Sequence, residues 1–477
     1  MNVLDAIGGW ALHSGPLYRR LASAIEAAVA RGDLPPGTLL PPERTLAQSL
    51  VVGRSTVVGA YDLLRTAGVV VSRQGSGSWI AGAERNAAHR GATPESLRGA
   101  ALSGGESLID LATASLPAHP AVRQALGSWD DALLTALLNE TGYSVLGLTD
   151  LRRAVANQFS REGLPTTTDQ ILITTGDQQA LALITHQYCE LGDTVVVEDP
   201  TSAGMLDLLR ALPVSVRSSR SLSSTGHEGL VDQVHKYSPR LVYVMPCLGP
   251  EGRNAAENDV RRLASALRGF DGVLIEDTSS RPLLREPAPT YLAALTQRTT
   301  VLTVGSMSKL FWAGLRVGWI RGDANLILRL SQAKARADLG TPLLSQLVSA
   351  WLIHRTSEVQ TDRVLEITSR MQSAETAIKL HLPDFALCPN AGGLTSWMGI
   401  PHGASRPFTE IARRHGVAVV SGAALSPGGS SDGFVRVALG VSDTTFLRGI
   451  ERLEAAWTDY STRPTDRGKA LDEFVII

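Results

Sequence analysis

The sequence predicts a chain of the α/β class that begins with a small helical module and continues into a much larger unit. Two observations support this division. Residues 17–80 contain three stretches with helical periodicity, followed by β-branched runs around a glycine-rich turn. From Leu108 onward, short apolar β-branched runs alternate with helical stretches, which predicts a doubly wound, mostly parallel sheet with helices on both faces.

Length and composition limit the possible classes. The chain has 477 residues, of which 44% are hydrophobic and 19% charged, as is typical of a soluble globular protein of about three domains. Met1–Trp10 lacks the basic start and apolar core of a signal peptide, and no run of roughly 18 apolar residues occurs. The three cysteines are far apart, which argues against a disulfide framework or a CxxC metal site. We therefore expect a cytoplasmic protein with no membrane segment and no metal.

The amino-terminal module is slightly basic although the whole chain carries a net charge of −1. Residues 1–80 contain seven Arg, no Lys and five Asp or Glu, so their balance is 7 − 5 = +2. This balance permits contact with nucleic acid and is weak support for it.

Three helices and a hairpin are predicted in this module. The first helix places Leu17, Leu21 and Ile25 on one face and stops at Gly32. A proline-rich turn starts the second helix, which runs through Leu50. Gly53 is expected to form a tight turn, and Ser55 to cap a third helix over residues 56–67. Residues 69–80 then predict two strands around a glycine-rich wing.

This order is that of a winged helix-turn-helix, whose third helix enters the major groove of DNA. Side chains at the start of that helix would reach base edges, and arginines beside it would contact the phosphate backbone. The expected DNA-binding residues are Arg44, Arg54, Ser55, Thr56, Arg73, Gln74 and Gly75. A small helical domain with scattered surface arginines is the alternative. The LPPGT-LPPER turn, the Arg-Ser-Thr helix start and the Arg-Gln-Gly-Ser-Gly wing occur together, which favours DNA binding.

Residues 15–80 resemble the GntR family of bacterial transcription regulators on these three motifs. We accordingly predict a DNA-binding domain over residues 10–80. Residues 81–107 are rich in Ala, Gly, Ser, Arg and Glu without hydrophobic periodicity, which predicts a flexible linker. The large unit is expected over 108–460, and 461–477 as a carboxy-terminal tail.

Four motifs of the large unit carry chemistry, and the most informative contains Lys309. The buried run at 301–304 leads to Ser306, Ser308 and Lys309, and Arg316 follows seven residues later. The amine can form an imine with an aldehyde, while the hydroxyls and the planar guanidinium can bind a phosphate. The run therefore suits an aldehyde cofactor that carries a phosphate.

The remaining motifs are weaker when each is taken alone. Gly176, Asp177 and Gln178 open a helix whose N–H groups can hold a phosphate, although the Asp177 carboxylate would repel it unless it points away or caps the helix. Asp277 ends a strand, where it can keep a pyridine nitrogen protonated or merely cap a turn. Arg436 lies in an apolar strand-like run and needs an anionic partner, either a ligand carboxylate or a structural acid.

In this order the motifs resemble the fold-type I pyridoxal-phosphate aminotransferases, over residues 108–459. The resemblance implies a large domain with a smaller carboxy-terminal α+β domain, with pyridoxal 5'-phosphate as the cofactor. It implies that Lys309 forms the imine, Asp277 pairs with the pyridine nitrogen and Arg436 binds a substrate or effector carboxylate. The implied phosphate-binding groups are Gly176, Asp177, Gln178, Ser306, Ser308 and Arg316. Tyr143 matches a tyrosine that contacts the cofactor phosphate of the neighbouring subunit.

Three residues depart from that family's pattern. Gly249 replaces the asparagine near the phenolic oxygen of the cofactor, Ser279 replaces a tyrosine after the pyridine-binding aspartate, and Ser202 replaces the aromatic residue that stacks on the ring. Each loss removes a contact of about 1 kcal/mol. The imine and phosphate anchors remain, which favours a sensor over an efficient catalyst.

The two modules together resemble MocR-type regulators. The resemblance implies a homodimeric transcription regulator that binds operator DNA and senses an amino compound, or pyridoxal phosphate itself, through an imine at Lys309. Two alternatives stay open at this point. One is an active aminotransferase with an autoregulatory DNA-binding domain, and the other is a regulator whose large domain is only a dimerisation scaffold.

Overall fold

The computed structural model describes residues 7, 16–30, 33–34, 38–73, 77–81, 108–128, 131–296 and 298–462. Several predictions therefore lie outside the described residues. They concern the helix stop at Gly32, the wing residues Gln74 and Gly75, the side chain of Arg73, nearly all of the 81–107 linker, and the tail beyond residue 462.

The amino-terminal module is a winged helix-turn-helix, as the sequence predicts. Its buried core includes Leu21, Ile25, Leu46, Tyr61 and Leu64, which come from all three helices. The strands form an antiparallel sheet in the order β1-β3-β2. The elements are α1 (Leu17–Ala30), β1 (Leu39–Leu40), α2 (Glu43–Leu50), α3 (Arg54–Thr66), β2 (Val70–Arg73) and β3 (Gly77–Ile80).

Two details of the turn between α2 and α3 differ from the prediction. The left-handed residue is Val51, with φ of 55°, whereas Gly53 has φ of −65° and precedes the helix as its N-cap. Ser55 was expected at the cap but is the second residue of α3, and no side chain caps this helix. The helix begins earlier because Arg54 already has helical geometry, so the hydroxyl of Ser55 lies in the first turn.

The large unit contains a seven-stranded sheet in the order β5-β11-β10-β9-β8-β6-β7. Strand β11 is antiparallel to both of its neighbours, and the other pairs are parallel, which confirms the mostly parallel sheet. The strands are β5 (Ile171–Thr174), β6 (Thr194–Asp199), β7 (Ser215–Arg220), β8 (Leu241–Val244), β9 (Val273–Asp277), β10 (Thr300–Ser306) and β11 (Gly318–Arg321).

Helices cover both faces of this sheet. The first half of the unit contributes α4 (Pro120–Gly127), α5 (Asp131–Leu138), α6 (Thr149–Arg161), α7 (Asp177–Tyr188), α8 (Ala203–Arg210), α9 (Leu222–Thr225), α10 (Glu228–Tyr237) and α11 (Glu257–Ala266). The second half contributes α12 (Leu292–Leu295), α13 (Ala324–Ala337) and α14 (Leu343–Ile353). One face of the sheet packs on α7, α8 and α13. The other face packs on two groups of helices, the first being α4, α6 and α14 and the second α10 and α11.

The carboxy-terminal part forms a smaller α+β layer with its own core. An antiparallel sheet in the order β12-β13-β16-β15 packs on helices, and a separate parallel pair joins β14 to β4. The strands are β4 (Ile109–Asp110), β12 (Ala386–Leu387), β13 (Thr395–Gly399), β14 (Val417–Ala418), β15 (Val420–Ser421) and β16 (Phe434–Ala438). The helices are α15 (Thr356–His381), α16 (Ser405–Arg414) and α17 (Asp443–Thr462).

Strand β6 is connected to both neighbouring units. Just before it begins, Asp193 accepts a hydrogen bond of 3.1 Å from Arg19 of α1, and Leu191 packs against the core of the winged module. At its far end, the Asp199 carboxylate accepts hydrogen bonds from the Gly428 N–H at 2.8 Å and from the Ser430 hydroxyl at 3.0 Å, both in the smaller layer. Every helix among the described residues is too short or too polar to span a bilayer.

Candidate functional site

Lys309 follows β10 at the carboxyl edge of the large sheet. Its Nζ donates a hydrogen bond of 2.8 Å to the carbonyl of Ala114. Burial lowers the pKa of Lys309, and the nearby Arg436 lowers it further, while the carboxylates of Asp177 and Asp277 oppose the shift. Because a desolvated lysine loses its proton more readily, this amine is better suited to attack an aldehyde than a surface lysine is.

Arg436 lies on β16 of the smaller layer, and its side chain extends to the chain segment that Lys309 contacts. Its Nη2 donates a hydrogen bond of 2.9 Å to the carbonyl of Ala112. Ala112 and Ala114 therefore present carbonyls to the two cations from one short segment. The Asp110 carboxylate fixes that segment by accepting hydrogen bonds from the N–H groups of Ala112 and Thr113. The structure thus brings Lys309 and Arg436 together from two different layers.

Asp277 is the last residue of β9 and is buried. Its Oδ2 accepts a hydrogen bond of 2.6 Å from the Tyr243 hydroxyl, and its Oδ1 accepts one of 2.9 Å from the Ser279 N–H. Burial raises the pKa of Asp277, the nearby Asp177 raises it further, and the two hydrogen bonds oppose the rise. A cation placed against this carboxylate would relieve the cost of burying its charge.

Tyr243 is a contributor that the sequence analysis missed. It lies in the middle of the buried strand β8, next to β9, and its hydroxyl crosses to Asp277. The available signal was a tyrosine inside an otherwise aliphatic strand, since a buried phenol needs a hydrogen-bond partner.

The Gly176 turn and Arg316 are in contact at the amino end of α7, and Ser306 pairs with Gly318, which packs on Gly176. Gly176 has φ of 80°, and a Cβ on it would lie 2.7 Å from Nη2 of Arg316. Arg316 donates a hydrogen bond of 3.1 Å to the Thr175 carbonyl, and the hydroxyls of Ser306 and Ser308 are 2.6 Å apart. A helix N-terminus, a guanidinium and two hydroxyls form a group of donors suited to a dianion.

Asp177 and Gln178 make contacts within the protein. The Asp177 Oδ1 accepts a hydrogen bond of 3.1 Å from the N–H of Gln178, so the carboxylate binds the start of its own helix. The Gln178 amide donates to the Gly204 carbonyl at 2.9 Å and connects α7 to α8. The backbone of this turn is therefore better suited to a phosphate than either side chain.

The three departures from the family pattern differ in their surroundings. Ser279 is buried beside Asp277, and Ser202 is half-buried at the N-cap of α8. At Gly249, no described atom beyond the residue and its two chain neighbours lies within 4 Å of the position that a Cβ would take. A Cβ could therefore be added there without displacing a neighbour.

Tyr143 does not join the Lys309 group within a single chain. Its side chain is 71% exposed. The cofactor contact implied by the family pattern would come from another copy of the chain, so one protomer neither supports nor contradicts it.

The start of α3 presents an exposed polar surface. Arg44, Arg54 and Ser55 are exposed, and Thr56 is half-buried. Arg54 is 70% exposed and forms a 3.4 Å ion pair with Glu43. An ion pair this exposed contributes little to stability, so the guanidinium can exchange its partner for a phosphate or a base.

Comparison with known sequences identifies both modules. Residues 109–453 match the family described as aminotransferase class I and II. The chain belongs to this family. Residues 17–80 match the bacterial regulatory proteins of the gntR family, which confirms the DNA-binding interpretation of the amino-terminal module and gives the two-part architecture of MocR-type regulators.

Relatives at the sequence level include bacterial transcription regulators. The uncharacterized HTH-type transcriptional regulator YdfD of Bacillus subtilis is 27% identical over 81% of this chain and 84% of its own length. The probable rhizopine catabolism regulatory protein MocR of Rhizobium meliloti is 28% identical over 64% of this chain and 65% of its own length. The prediction of a GntR- and MocR-type transcription regulator is thereby confirmed.

Solved structures confirm the fold of the large unit. The α-aminoadipate aminotransferase LysN of Thermus thermophilus, complexed with N-(5'-phosphopyridoxyl)-L-leucine, superimposes with a TM-score of 0.66. It covers 79% of this chain and 97% of its own at 24% identity. Members of this family depend on pyridoxal phosphate.

The residues present fit that cofactor. An amine of lowered pKa, a buried carboxylate and a cluster of anion-binding donors lie at one sheet edge. The described residues contain no group of three His, Cys, Asp or Glu side chains that could hold a metal ion.

Proposed function

We propose that this transcription regulator binds pyridoxal phosphate on Lys309 and senses an amino compound, or pyridoxal phosphate itself, at that site. The observation that carries the proposal is the convergence of Lys309, Asp277 and Arg436 at one sheet edge, in a chain that also has a DNA-binding domain. An ordinary scaffold would have no need for a buried amine of lowered pKa facing a buried carboxylate.

Each end of the cofactor would have its own partners. The phosphate would be held by the backbone of the Gly176 turn, by Arg316 and by the hydroxyls of Ser306 and Ser308. Asp277 would pair with the pyridine nitrogen. When bound, pyridoxal phosphate supplies an aldehyde carbon that bonds reversibly to a primary amine.

The surroundings of Lys309, Asp277 and Arg436 suit each side chain to its proposed role. Burial keeps the amine of Lys309 in its neutral, nucleophilic form at a lower pH than usual. The Tyr243 hydrogen bond holds the Asp277 carboxylate in one orientation. Arg436, anchored on the Ala112 carbonyl, would bind the carboxylate of an incoming amino acid.

We further propose that two copies of the chain act together in the cytoplasm. The exposed Tyr143 would reach the cofactor phosphate of the other copy, and the two winged modules, over residues 10–80, would bind operator DNA. The 81–107 linker would join each winged module to its large domain over 108–460, ahead of the 461–477 tail. Exchange of Lys309 for a ligand amine would shift the balance between two arrangements of these domains.

Titration of the purified protein with pyridoxal phosphate tests the cofactor proposal. An absorbance band near roughly 420 nm, as such imines generally give, and a pyridoxyl group on the Lys309 peptide after borohydride reduction are expected. Trapping on a different lysine, or on none, would refute it. Footprinting of the upstream DNA with and without the cofactor then tests sensing, since identical protection in both would exclude a response.

The DNA-binding surface is tested separately. Arg54→Ala should weaken operator binding by about 1–3 kcal/mol if this arginine contacts a base. Cofactor absorbance should be unchanged, because Arg54 lies in the other module. Arg413→Ala, on α16 of the smaller layer, is the control for loss of a positive charge. Equal losses of DNA and cofactor binding in Arg54→Ala would contradict the assignment.

An active aminotransferase is the second candidate, favoured by the proximity of Lys309, Asp277 and Arg436 at one sheet edge. Sustained amino-group transfer to a 2-oxo acid, abolished in Lys309→Ala, would establish it. Gly249, Ser279 and Ser202 argue for slow turnover at best, since each lacks a contact that tunes the cofactor ring.

A further inference from the structure

Lys334 is a fully buried lysine to which the site described above gives no role. It lies in the last turn of α13, and its side chain is 0% exposed. Its Nζ donates hydrogen bonds of 2.7 Å to both carboxylate oxygens of Asp338 and one of 3.1 Å to Oε1 of Gln179. Complete burial of a lysine is rare, because the ammonium loses its hydration and must be paired instead.

Lys334 and Asp338 form an ion pair whose two members differ in their surroundings. Burial lowers the pKa of Lys334, and its hydrogen bond with Asp338 opposes this shift. Burial raises the pKa of Asp338, but hydrogen bonds from Gln179 and Lys334 outweigh it, so this pKa lies below its ordinary value. Burial dominates only at the lysine because the Asp338 side chain is 25% exposed. At neutral pH Asp338 is therefore a carboxylate that orients the donors around it.

Gln179 connects this ion pair to the turn at the start of α7. Its Oε1 accepts a 2.8 Å hydrogen bond from the Thr175 N–H as well as the one from Lys334, and its Nε2 donates to Asp338 at 2.6 Å. Turning the amide over would place its NH₂ group against two donors and its oxygen against a carboxylate. Lys334 and Asp338 therefore fix which atom of Gln179 faces Thr175.

Every polar group of Thr175 has a partner within the protein. Its N–H donates to Gln179, its carbonyl accepts a hydrogen bond of 3.1 Å from Arg316, and its hydroxyl lies 3.3 Å from that of Thr341. Thr175 directly precedes Gly176, so these three contacts set the position from which the phosphate-binding turn begins. Because the contacts are all within the protein, they can hold the turn before a ligand binds.

A turn that is already held in place binds an anion more tightly than a mobile one. Less conformational entropy is lost on binding, and the N–H groups at the helix start point together at the phosphate oxygens. The benefit applies only to a ligand that carries a phosphate, because an unphosphorylated aldehyde offers this turn no anion.

We propose that Lys334, Asp338 and Gln179 are positioning residues that hold the Gly176 turn ready for a phosphate. They thereby make the site select a phosphorylated aldehyde over its unphosphorylated counterpart. Lys334 and Asp338 act through Gln179, and Gln179 acts through Thr175. This inference rests on the proposed function, because it requires that pyridoxal phosphate binds at Lys309.

Pyridoxal phosphate and pyridoxal are the two probes, and borohydride trapping on the Lys309 peptide measures the half-saturating concentration of each. Gln179→Leu removes the acceptor of the Thr175 N–H at nearly the same side-chain size. It should raise the half-saturating concentration of pyridoxal phosphate about tenfold, the effect of roughly one hydrogen bond, and leave that of pyridoxal unchanged. Equal losses for both compounds, or no loss for either, would overturn the proposal.

Two further variants complete the series. Gln158→Leu is the matched control, since Gln158 is also half-buried and lies on α6 of the same unit, where its amide donates to Glu162. It should change neither concentration. Lys334→Met should weaken pyridoxal phosphate binding about two- to fivefold, less than Gln179→Leu does, because Asp338 still binds the Gln179 amide. No effect of Lys334→Met on the preference for the phosphate would overturn the role of Lys334.

Hydrogen exchange at the Thr175 amide tests the positioning step in protein without cofactor. The amide should be protected in the parent and exchange about tenfold faster in Gln179→Leu, while unchanged exchange in β9 shows that the variant is folded. Unchanged exchange at Thr175 would overturn the proposal. If the parent traps neither compound on Lys309, the proposed function fails together with the selectivity. If the parent traps pyridoxal phosphate and Gln179→Leu keeps the same preference for it, only the positioning fails.

Discussion

The two ends of the candidate cofactor site differ in how completely they match the family pattern. At the phosphate end, the Gly176 turn, Arg316 and the hydroxyls of Ser306 and Ser308 are together. At the ring end, Gly249 and Ser279 stand where larger polar side chains are usual. The phosphate-end groups would bind the cofactor, whereas the ring-end groups would adjust its reactivity. A protein can retain cofactor binding without high reactivity, as a sensor requires.

The largest expected effect removes the covalent anchor. Lys309→Ala should abolish the visible absorbance of the bound cofactor and the pyridoxyl group trapped by borohydride, because Lys309 is the amine that the structure places near Asp277 and Arg436. Lys309→Arg is the control that keeps the charge without an available nucleophile, and it should fail in the same way. Persistent trapping in either variant would show that another residue forms the imine. The comparison between the two ends of the site would then no longer hold.

The next effect concerns the phosphate end. Arg316→Ala should weaken pyridoxal phosphate binding roughly 10- to 100-fold, since a hydrogen bond to a charged group contributes about 1.5–3 kcal/mol. Arg316→Lys should recover part of this, because it restores the charge without the planar fork. Absorbance titration gives the dissociation constants. An Arg316→Ala variant that binds as well as the parent would show that the phosphate lies elsewhere.

A smaller effect is the pH dependence of cofactor capture. The pKa of Lys309 lies below its ordinary value of 10.5, mainly because of burial, so capture should rise with pH and level off below 10.5. In this range the rate should change about tenfold per pH unit until the plateau. The folded state disfavours the charged amine, so the Lys309 contribution to stability should increase as the pH rises toward 10.5. Stopped-flow absorbance measures the rate, and a plateau above 10.5 would contradict the shift.

The smallest effect restores one contact at the ring end. Gly249→Asn should strengthen pyridoxal phosphate binding about fivefold, equivalent to about 1 kcal/mol, because the new side chain enters open space. Gly433→Asn, at a glycine with equally open surroundings in the smaller layer, is the matched control and should have no effect on cofactor binding. Weaker binding in Gly249→Asn would mean that the bare glycine is itself required.

The sequence was a reliable guide to most strands of the large sheet because they are short apolar β-branched runs bounded by turn residues. The run expected at 301–304 lies inside β10, and Asp277 ends β9 as expected. Strand β7 (Ser215–Arg220) has a polar sequence without such a run, so periodicity gave no signal for it.

Contacts between distant segments could not be predicted in this way. The hydrogen bond between Tyr243 and Asp277 joins residues 34 positions apart, and the Arg436 contact with Ala112 spans 324. Such pairs depend on strand order and on how the layers fold over each other, which periodicity does not encode. The turn at Val51 was missed for a related reason, because a β-branched residue at positive φ is held there by tertiary context rather than by its own preference.

Strand β6 sets a fixed distance between two attachments. Its six residues span roughly 20 Å, with the winged module fastened just before one end at Asp193 and the smaller layer at the other end through Asp199. A β-strand inside a sheet does not stretch. Movement of the smaller layer relative to the sheet must therefore strain the hydrogen bonds of Asp199, and the Arg19–Asp193 ion pair is unaffected. The two attachments can therefore break independently of each other.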